Sequence, residues 1–337
     1  MAETITARAM EKKKFADFTR AIVDNGYQLY GPAIEGREAI IAQIAEQADV
    51  SFDYRNFKMS PKDLFLSQSE VLCRFCRGEI VPDAAADDGR RVLLGIRPCD
   101  AKAISLMDKV FLQEPADSYY KRKRDNTVVI SAVCSSPEDT CFCTSVGGSP
   151  ASTEGSDILL TDLGESYLLE PVTPKGEDFL NRFSSLTRNA SKNEVREKER
   201  IVEEAASRMQ KMDLEGIAER FAKAFESDLW DTPSQRCLGC GICTYFCPTC
   251  HCFDVTDETL HENGRRLRTW DSCMYSLFTL HASGHNPRPS QRERTRQRFM
   301  HKFSYSVDNY GELFCVGCGR CIKHCPVNID LREVIAP

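Results

Sequence analysis

The chain has 337 residues, 42% of them hydrophobic, and a formal net charge of -6. That length and composition suit about two folded domains, and the acidic balance gives no chain-wide reason to expect nucleic acid. Seventeen cysteines in a chain this long, whose N-terminus MAETITARAMEKKKF lacks an apolar h-region, read as reduced, metal-binding thiols of a cytoplasmic protein and not as a secreted disulfide scaffold. No apolar run approaches the roughly 20 residues of a membrane span, so membrane contact would go through a partner.

In chain order, IEGREAIIAQIAEQ (34 to 47) places Ile34, Ile40, Ile41 and Ile44 at helical spacing and predicts a helix. Cys73 and Cys76 in VLCRFCRG form a lone C-x-x-C, too weak a signal to assign. RVLLGI (91 to 96), TVVISAV (127 to 133) and DILLTDL (157 to 163) are short apolar runs bounded by Gly, Pro, Asp or Ser, the pattern of buried strands. Helices between such strands imply an α/β domain over residues 1 to 175. EPVTPKGED (170 to 178) reads as a boundary. The Glu, Lys, Arg and Ala-rich stretch that follows, with helical periodicity from Phe179 to Trp230, predicts a helical linker over 176 to 230.

The cysteine-rich part, 231 to 337, holds the strongest motif, and holds it twice. Cys237, Cys240, Cys243 and Cys247-Pro248 form C-x2-C-x2-C-x3-C-P, and Cys315, Cys318, Cys321 and Cys325-Pro326 repeat it. Three thiolates in one tight turn cap three irons of a cubane, while Gly239, Gly241, Gly317 and Gly319 let the backbone wrap closely. The fourth cysteine of each run leaves the loop and ligates the other cluster. The expected sets are therefore Cys237, Cys240, Cys243 and Cys325 for one 4Fe-4S cluster, A, and Cys315, Cys318, Cys321 and Cys247 for a second, B. Zinc is the weaker reading, because zinc knots rarely show this run with its terminal proline. The long insert between the runs, with stretches such as SLFTLHASGH, favours a mainly helical two-cluster domain over a compact β-hairpin ferredoxin. Its basic block, Arg288, Arg292, Arg294, Arg296, Arg298 and Lys302, is read first as charge compensation for anionic clusters, ahead of nucleic-acid binding or docking to an acidic partner.

These residues carry a resemblance. CPTCHCFDV, RLRTWDSC (266 to 273), HASGHNPRP (281 to 289), HKFSY and CVGCGRCIKHCPVNID, with GIRPCDAKAI (95 to 104) and CFCTSVGG (141 to 148) upstream, resemble the iron-sulfur β-subunit family of soluble nickel-iron sulfhydrogenases. That family includes an iron-sulfur component of anaerobic sulfite reductase and the iron-sulfur subunit of flavin oxidoreductases that feed heterodisulfide reductase. The resemblance covers most of the chain. It implies an electron-transfer subunit between a flavin-containing, NAD(P)H-oxidising subunit and a terminal hydrogenase, sulfite reductase or heterodisulfide reductase subunit.

Four cysteines of the first half form a further group. Cys99 follows strand RVLLGI, where Asp100 can cap a helix and place the thiol near its positive end, favouring thiolate. Cys134 ends strand TVVISAV in the same manner, and Cys141 and Cys143 follow in a loop. If the two strands are neighbours, their C-terminal ends bring Cys99, Cys134, Cys141 and Cys143 to one rim, and a third 4Fe-4S cluster is expected there. Burial as small core residues is the bland alternative. Cys250, Cys252 and Cys273 make only three thiols. Packing or pocket lining is the first reading, and a metal site completed by a histidine such as His251 the second. His261, His281, His285, His301 and His324 are scattered. No catalytic set, P-loop or G-x-G-x-x-G follows a strand, so flavin and nucleotide are expected on a partner. Two other readings stay open: an enzyme with an open-site cluster in the first half, and a redox-sensing or nucleic-acid-binding module.

Overall fold

The computed structural model describes residues 7–44, 50, 52–82 and 89–336. The chain divides into two compact units, one of Met1–Pro61, Gly89–Met212 and Val316–Gly319, the other of Lys62–Asp88, Asp213–Cys315 and Arg320–Pro337.

From the N-terminus, β1 (Arg8–Glu11) leads into α1 (Phe15–Asp24) and then into a hairpin of β2 (Gln28–Glu35) and β3 (Glu38–Gln43). This hairpin stands where the sequence predicted a helix over 34 to 47. Gly36 turns the chain at φ +63°, and Ala33 pairs with Ile40 and Ile34 with Ala39 across it. β-branched residues favour such pairing, and a glycine in mid-helix is costly, so the isoleucine spacing loses to the turn. Residues 45 to 47 lie outside the described residues.

β4 (Ser69–Cys76) and β5 (Glu79–Pro82) belong to the second unit. The first resumes with β6 (Arg91–Ile96), α2 (Pro98–Phe111), α3 (Ser118–Asp125), β7 (Thr127–Ala132), β8 (Ile158–Asp162), β9 (Ser166–Pro171), α4 (Pro174–Arg182), β10 (Arg188–Asn189) and α5 (Lys192–Ser207). Three of these strands are the predicted ones. The sheet runs β10-β1-β9-β8-β7-β6-β2-β3. β2, β6, β7 and β8 are parallel, and the flanking pairs antiparallel. β6 and β7 are buried along their whole length, as central strands covered on both faces must be. Phe15, Phe18 and Ile22 of α1 and Phe179 and Leu180 of α4 pack into one core with Leu29, Val92, Val128 and Ile158.

One carboxylate ties this core together. Asp157 Oδ2 accepts the Val129 N–H at 2.9 Å and its Oδ1 the Thr173 hydroxyl at 2.7 Å. Thr173 Oγ1 in turn caps α4, accepting the Gly176 N–H at 3.1 Å. The stretch expected as a linker, 176 to 230, carries α4 and α5 in the first unit and α6 (Ile217–Lys223) in the second, with turns between.

The second unit continues through α7 (Asp231–Arg236), α8 (Ile242–Tyr245), β11 (Phe253–Leu260), β12 (Asn263–Trp270), α9 (Gln291–Met300), α10 (Ser306–Tyr310), α11 (Arg320–Lys323) and α12 (Leu331–Ile335). It is mixed, not mainly helical. β11-β12-β4-β5 form an antiparallel sheet, and SLFTLHASGH is a run of turns. A π-helical segment, His301–Tyr305, joins α9 to α10 in one continuous helical stretch. Trp230 packs against Phe221 and Phe299, with ring centroids 5.3 and 6.0 Å away.

Gly176 sits tightly under the Asp157 network: a Cβ there would lie 1.9 Å from the Asp157 carbonyl oxygen. Gly176→Ala is expected to lower stability by at least about 2 kcal/mol. The urea midpoint checks this, and an unchanged midpoint would contradict the packing described.

Candidate metal centres

In the first unit the chain leaves β6 and enters α2 directly. Pro98 occupies the first turn and Arg97 is the N-cap, so Asp100 is a buried first-turn residue and not the cap expected. An acid there still suits the positive helix end, one residue after Cys99. Cys134 lies two residues beyond β7, its N–H bonded to Pro150 O at 2.9 Å. Cys141 and Cys143 follow in the loop, which ends in a 3-10 turn, Cys143–Val146. Because β6 and β7 are parallel neighbours, their C-terminal ends bring Cys99, Cys134, Cys141 and Cys143 to one concavity, shared with Arg97 and Cys318.

The loop is pinned by close backbone contact. Phe142 N–H donates to Gly317 O at 2.9 Å. Gly317 holds φ +62°, and a Cβ there would come within 2.5 Å of Cys143 N, so only glycine fits. Burial pushes the Cys141 and Cys143 thiols up to about 12 and raises Cys134 as well, although Arg97 pulls the other way. The helix-end effect thus does not make Cys134 a thiolate. These thiols keep their protons until a metal displaces them. Thr140 Oγ1 and Thr144 Oγ1, on the same loop, are buried without a protein partner.

In the second unit Cys237, Cys240, Cys243 and Cys325 line a single cavity, together with Arg298 and Cys321. Cys237 follows α7, Cys243 lies in α8, and Cys325 follows α11. Gly241 turns the first loop at φ +76°, with its Cβ position 2.7 Å from Tyr275 Oη. Sulfur-directed donors surround the cavity. Gln291 Nε2 and Gly239 N–H approach Cys237 Sγ at 3.2 and 3.4 Å, and Ile329 N–H approaches Cys325 Sγ at 3.3 Å. Burial pushes Cys243 up to about 11. Burial also works against the Arg298 charge, but the sulfurs of Cys243 and Cys321 outweigh it and keep the guanidinium charged. Arg298 Nε and Thr295 Oγ1 are buried with no protein acceptor, which suits a sulfide-bearing group in this cavity.

Of the second run's expected set, Cys247, Cys315 and Cys321 lie in the second unit, while Cys318 lies in the first, its carbonyl 3.8 Å from Cys141 Sγ. Lys302, carried on the π-helical segment, is buried and donates to Cys247 Sγ at 3.1 Å, Thr249 Oγ1 at 2.9 Å and Phe314 O at 3.1 Å. Burial disfavours its charge, yet Cys247, Cys250 and Cys315 hold the ammonium well above its ordinary value. Arg292, Arg294 and Arg296 of the basic block are engaged with protein groups instead. Arg292 pairs with Asp231 at 2.6 Å, Arg296 with Glu226 at 3.2 Å, and Arg294 donates to the Arg288 and Pro289 carbonyls.

Cys250, Cys252 and Cys273 form contacts the sequence did not reveal. Cys250 O accepts from Lys62, Cys252 O accepts the Asp271 N–H at 3.0 Å, and Cys273 is buried. Burial pushes His251 down to about 4, so its ring is neutral. Among the described residues no three His, Cys, Asp or Glu side chains are arranged to hold a single metal ion. A cubane instead spreads four thiolates around four irons. Lys62 was also missed: it is buried, donates to Thr244 O and Cys250 O at 3.2 and 2.9 Å, and lies over the Trp270 ring at 4.1 Å. Nothing in PKDLF signals a buried lysine. Cys73 and Cys76 sit on β4 opposite Arg266 and Asn263.

Residues 236–329 match the family described as a 4Fe-4S dicluster domain. Over 328 residues, 97% of this chain and 96% of the relative, the protein is 31% identical to sulfhydrogenase 2 subunit beta of Pyrococcus furiosus. No solved structure matches. Among the described residues no helix is long and apolar enough to cross a membrane. With cysteine-lined cavities in both units and similarity along nearly the whole chain, the protein belongs to the iron-sulfur β-subunit family of sulfhydrogenases.

Proposed function

We propose that this chain is an electron-transfer subunit holding three 4Fe-4S clusters, working in the cytoplasm within a multi-subunit anaerobic oxidoreductase. The observation that carries the reading is that Cys99, after one strand, and Cys134, Cys141 and Cys143, after the next, line one cavity, in addition to the dicluster domain. Cys237, Cys240, Cys243 and Cys325 would hold cluster A, and Cys315, Cys318, Cys321 and Cys247 cluster B. Cys99, Cys134, Cys141 and Cys143 would hold the third. Bound clusters of this kind take up and release electrons singly.

The protein's own residues then set what such a carrier does. Arg298 and Lys302 offset its negative charge, and the Gln291, Gly239 and Ile329 donors to sulfur stabilise the more negative, reduced form. A flavin-bearing, NAD(P)H-oxidising subunit is the proposed donor or acceptor on one side. A hydrogenase-type catalytic subunit, as the name of the Pyrococcus relative suggests, is the proposed partner on the other.

Anaerobically purified protein is expected to contain about twelve iron and twelve acid-labile sulfide per chain, and Cys143→Ser about four fewer of each. About eight in both proteins would return the first-half cysteines to structural roles. Arg298→Met is expected to shift a cluster potential to more negative values, followed by EPR during a redox titration. An unchanged potential would contradict the charge-offsetting role given to Arg298.

A further inference from the structure

We infer that Lys62 is a positioning residue for cluster B: it clamps the segment that carries Cys247 and, as a buried cation on that segment, raises the cluster's reduction potential. This role rests on the cluster B reading above. Lys62 lies in a 3-10 turn, Pro61–Leu64, and its carbonyl accepts the Phe65 and Leu66 N–H groups at 3.0 and 2.8 Å. Trp270 pins the residues that follow. Its indole N–H donates to Leu66 O at 2.9 Å and its backbone N–H to Gln68 O at 2.9 Å. Lys62 is thereby fixed over the Trp270 ring, 4.1 Å from the centroid, with 6% of its surface exposed.

The ammonium bridges the ends of one short stretch, 244 to 250. Lys62 Nζ donates to Thr244 O at 3.2 Å, one residue after Cys243, and to Cys250 O at 2.9 Å, three residues after Cys247. Lys302 Nζ meets the same stretch at Cys247 Sγ and Thr249 Oγ1, 3.1 and 2.9 Å away. Among the described residues neither lysine is paired with a carboxylate. A buried cation needs a counter-charge, and two carbonyls and an indole face supply only part of one to Lys62. Burial accordingly pulls Lys62 below its ordinary value, against the fields of Cys250 and Cys247. With an anionic cluster on Cys247 the lysine gains the missing counter-charge and stays protonated. Each electron taken up adds one negative charge to the cluster. A fixed cation nearby favours that reduced form, so the potential rises.

The test is a redox titration of the anaerobically purified full-length protein, with dithionite as reductant, EPR as readout and iron measured on every sample. Lys62→Gln keeps an N–H donor and removes the charge. It is expected to keep the wild-type iron content and to shift one cluster to more negative potential, by about tenfold in the one-electron equilibrium or about 59 mV. Lys302→Gln is expected to shift the same cluster, and Lys62→Arg, which keeps the charge, to leave it at the wild-type potential. Unchanged potentials in Lys62→Gln at full iron would overturn the inference. So would equal shifts in Lys62→Gln and Lys62→Arg, or iron lost from both, because either result would make the lysine a packing support alone. About four iron or fewer in the wild-type protein would overturn the cluster B reading as well, which the other results leave standing.

Discussion

Lys302 and Arg298 are buried among sulfur atoms in the second unit, and their burial is the constraint on which the site depends. An isolated ammonium in such surroundings would give up its proton. Lys302 keeps its proton because Cys247, Cys250 and Cys315 lie around it, and Arg298 is held by Cys243 and Cys321 in the same way. Negative charge on those sulfurs is what makes the arrangement stable. In the proposed function anionic clusters would supply it, and the cations would in turn moderate the cost of burying them. The helical stretch that bears both residues is shaped to this end: the π-helical segment between α9 and α10 places Lys302 against Cys247 Sγ.

The first unit meets its constraint differently. Its cysteines are gathered by topology, at the C-terminal ends of two adjacent parallel strands and in the loop after the second. Ligand sites in open α/β sheets commonly form at such a rim. Its cation, Arg97, is buried and spends its donors on the carbonyls of Arg55, Val133 and Tyr54, which fixes the loop positions around the concavity. Burial raises the Cys134, Cys141 and Cys143 thiols. On the proposed reading metal would complete this site, with the protons leaving as it binds.

Much of this was legible in the sequence because it rests on short-range rules. Cysteine spacing grouped Cys237, Cys240, Cys243 and Cys325, which line one cavity, although Cys321, expected in the other set, lines it too; the apolar runs at 91 to 96 and 127 to 133 named the two strands whose adjacency gathers Cys99 and Cys134. What was not legible depends on distant pairing. The isoleucines of 34 to 44 satisfy helical spacing as well as strand pairing, and only the turn at Gly36 decides. The sheet of the second unit joins β4 and β5 to β11 and β12, far later in the chain, and no local pattern announces that. Lys62 looks like any surface lysine until Trp270 is placed beneath it. Arg298 and Lys302 were grouped correctly with the basic block, but that these two members turn inward to sulfur follows from helix phase and the π segment.

The central claim is that each unit encloses its own cysteine-lined cluster cavity. An anomalous difference map collected at the iron edge, from anaerobically grown crystals, tests it most directly. The account predicts separate iron density in the cavity lined by Cys237, Cys240, Cys243 and Cys325 and in that lined by Cys99, Cys134, Cys141 and Cys143. Iron in the first and none in the second would contradict it.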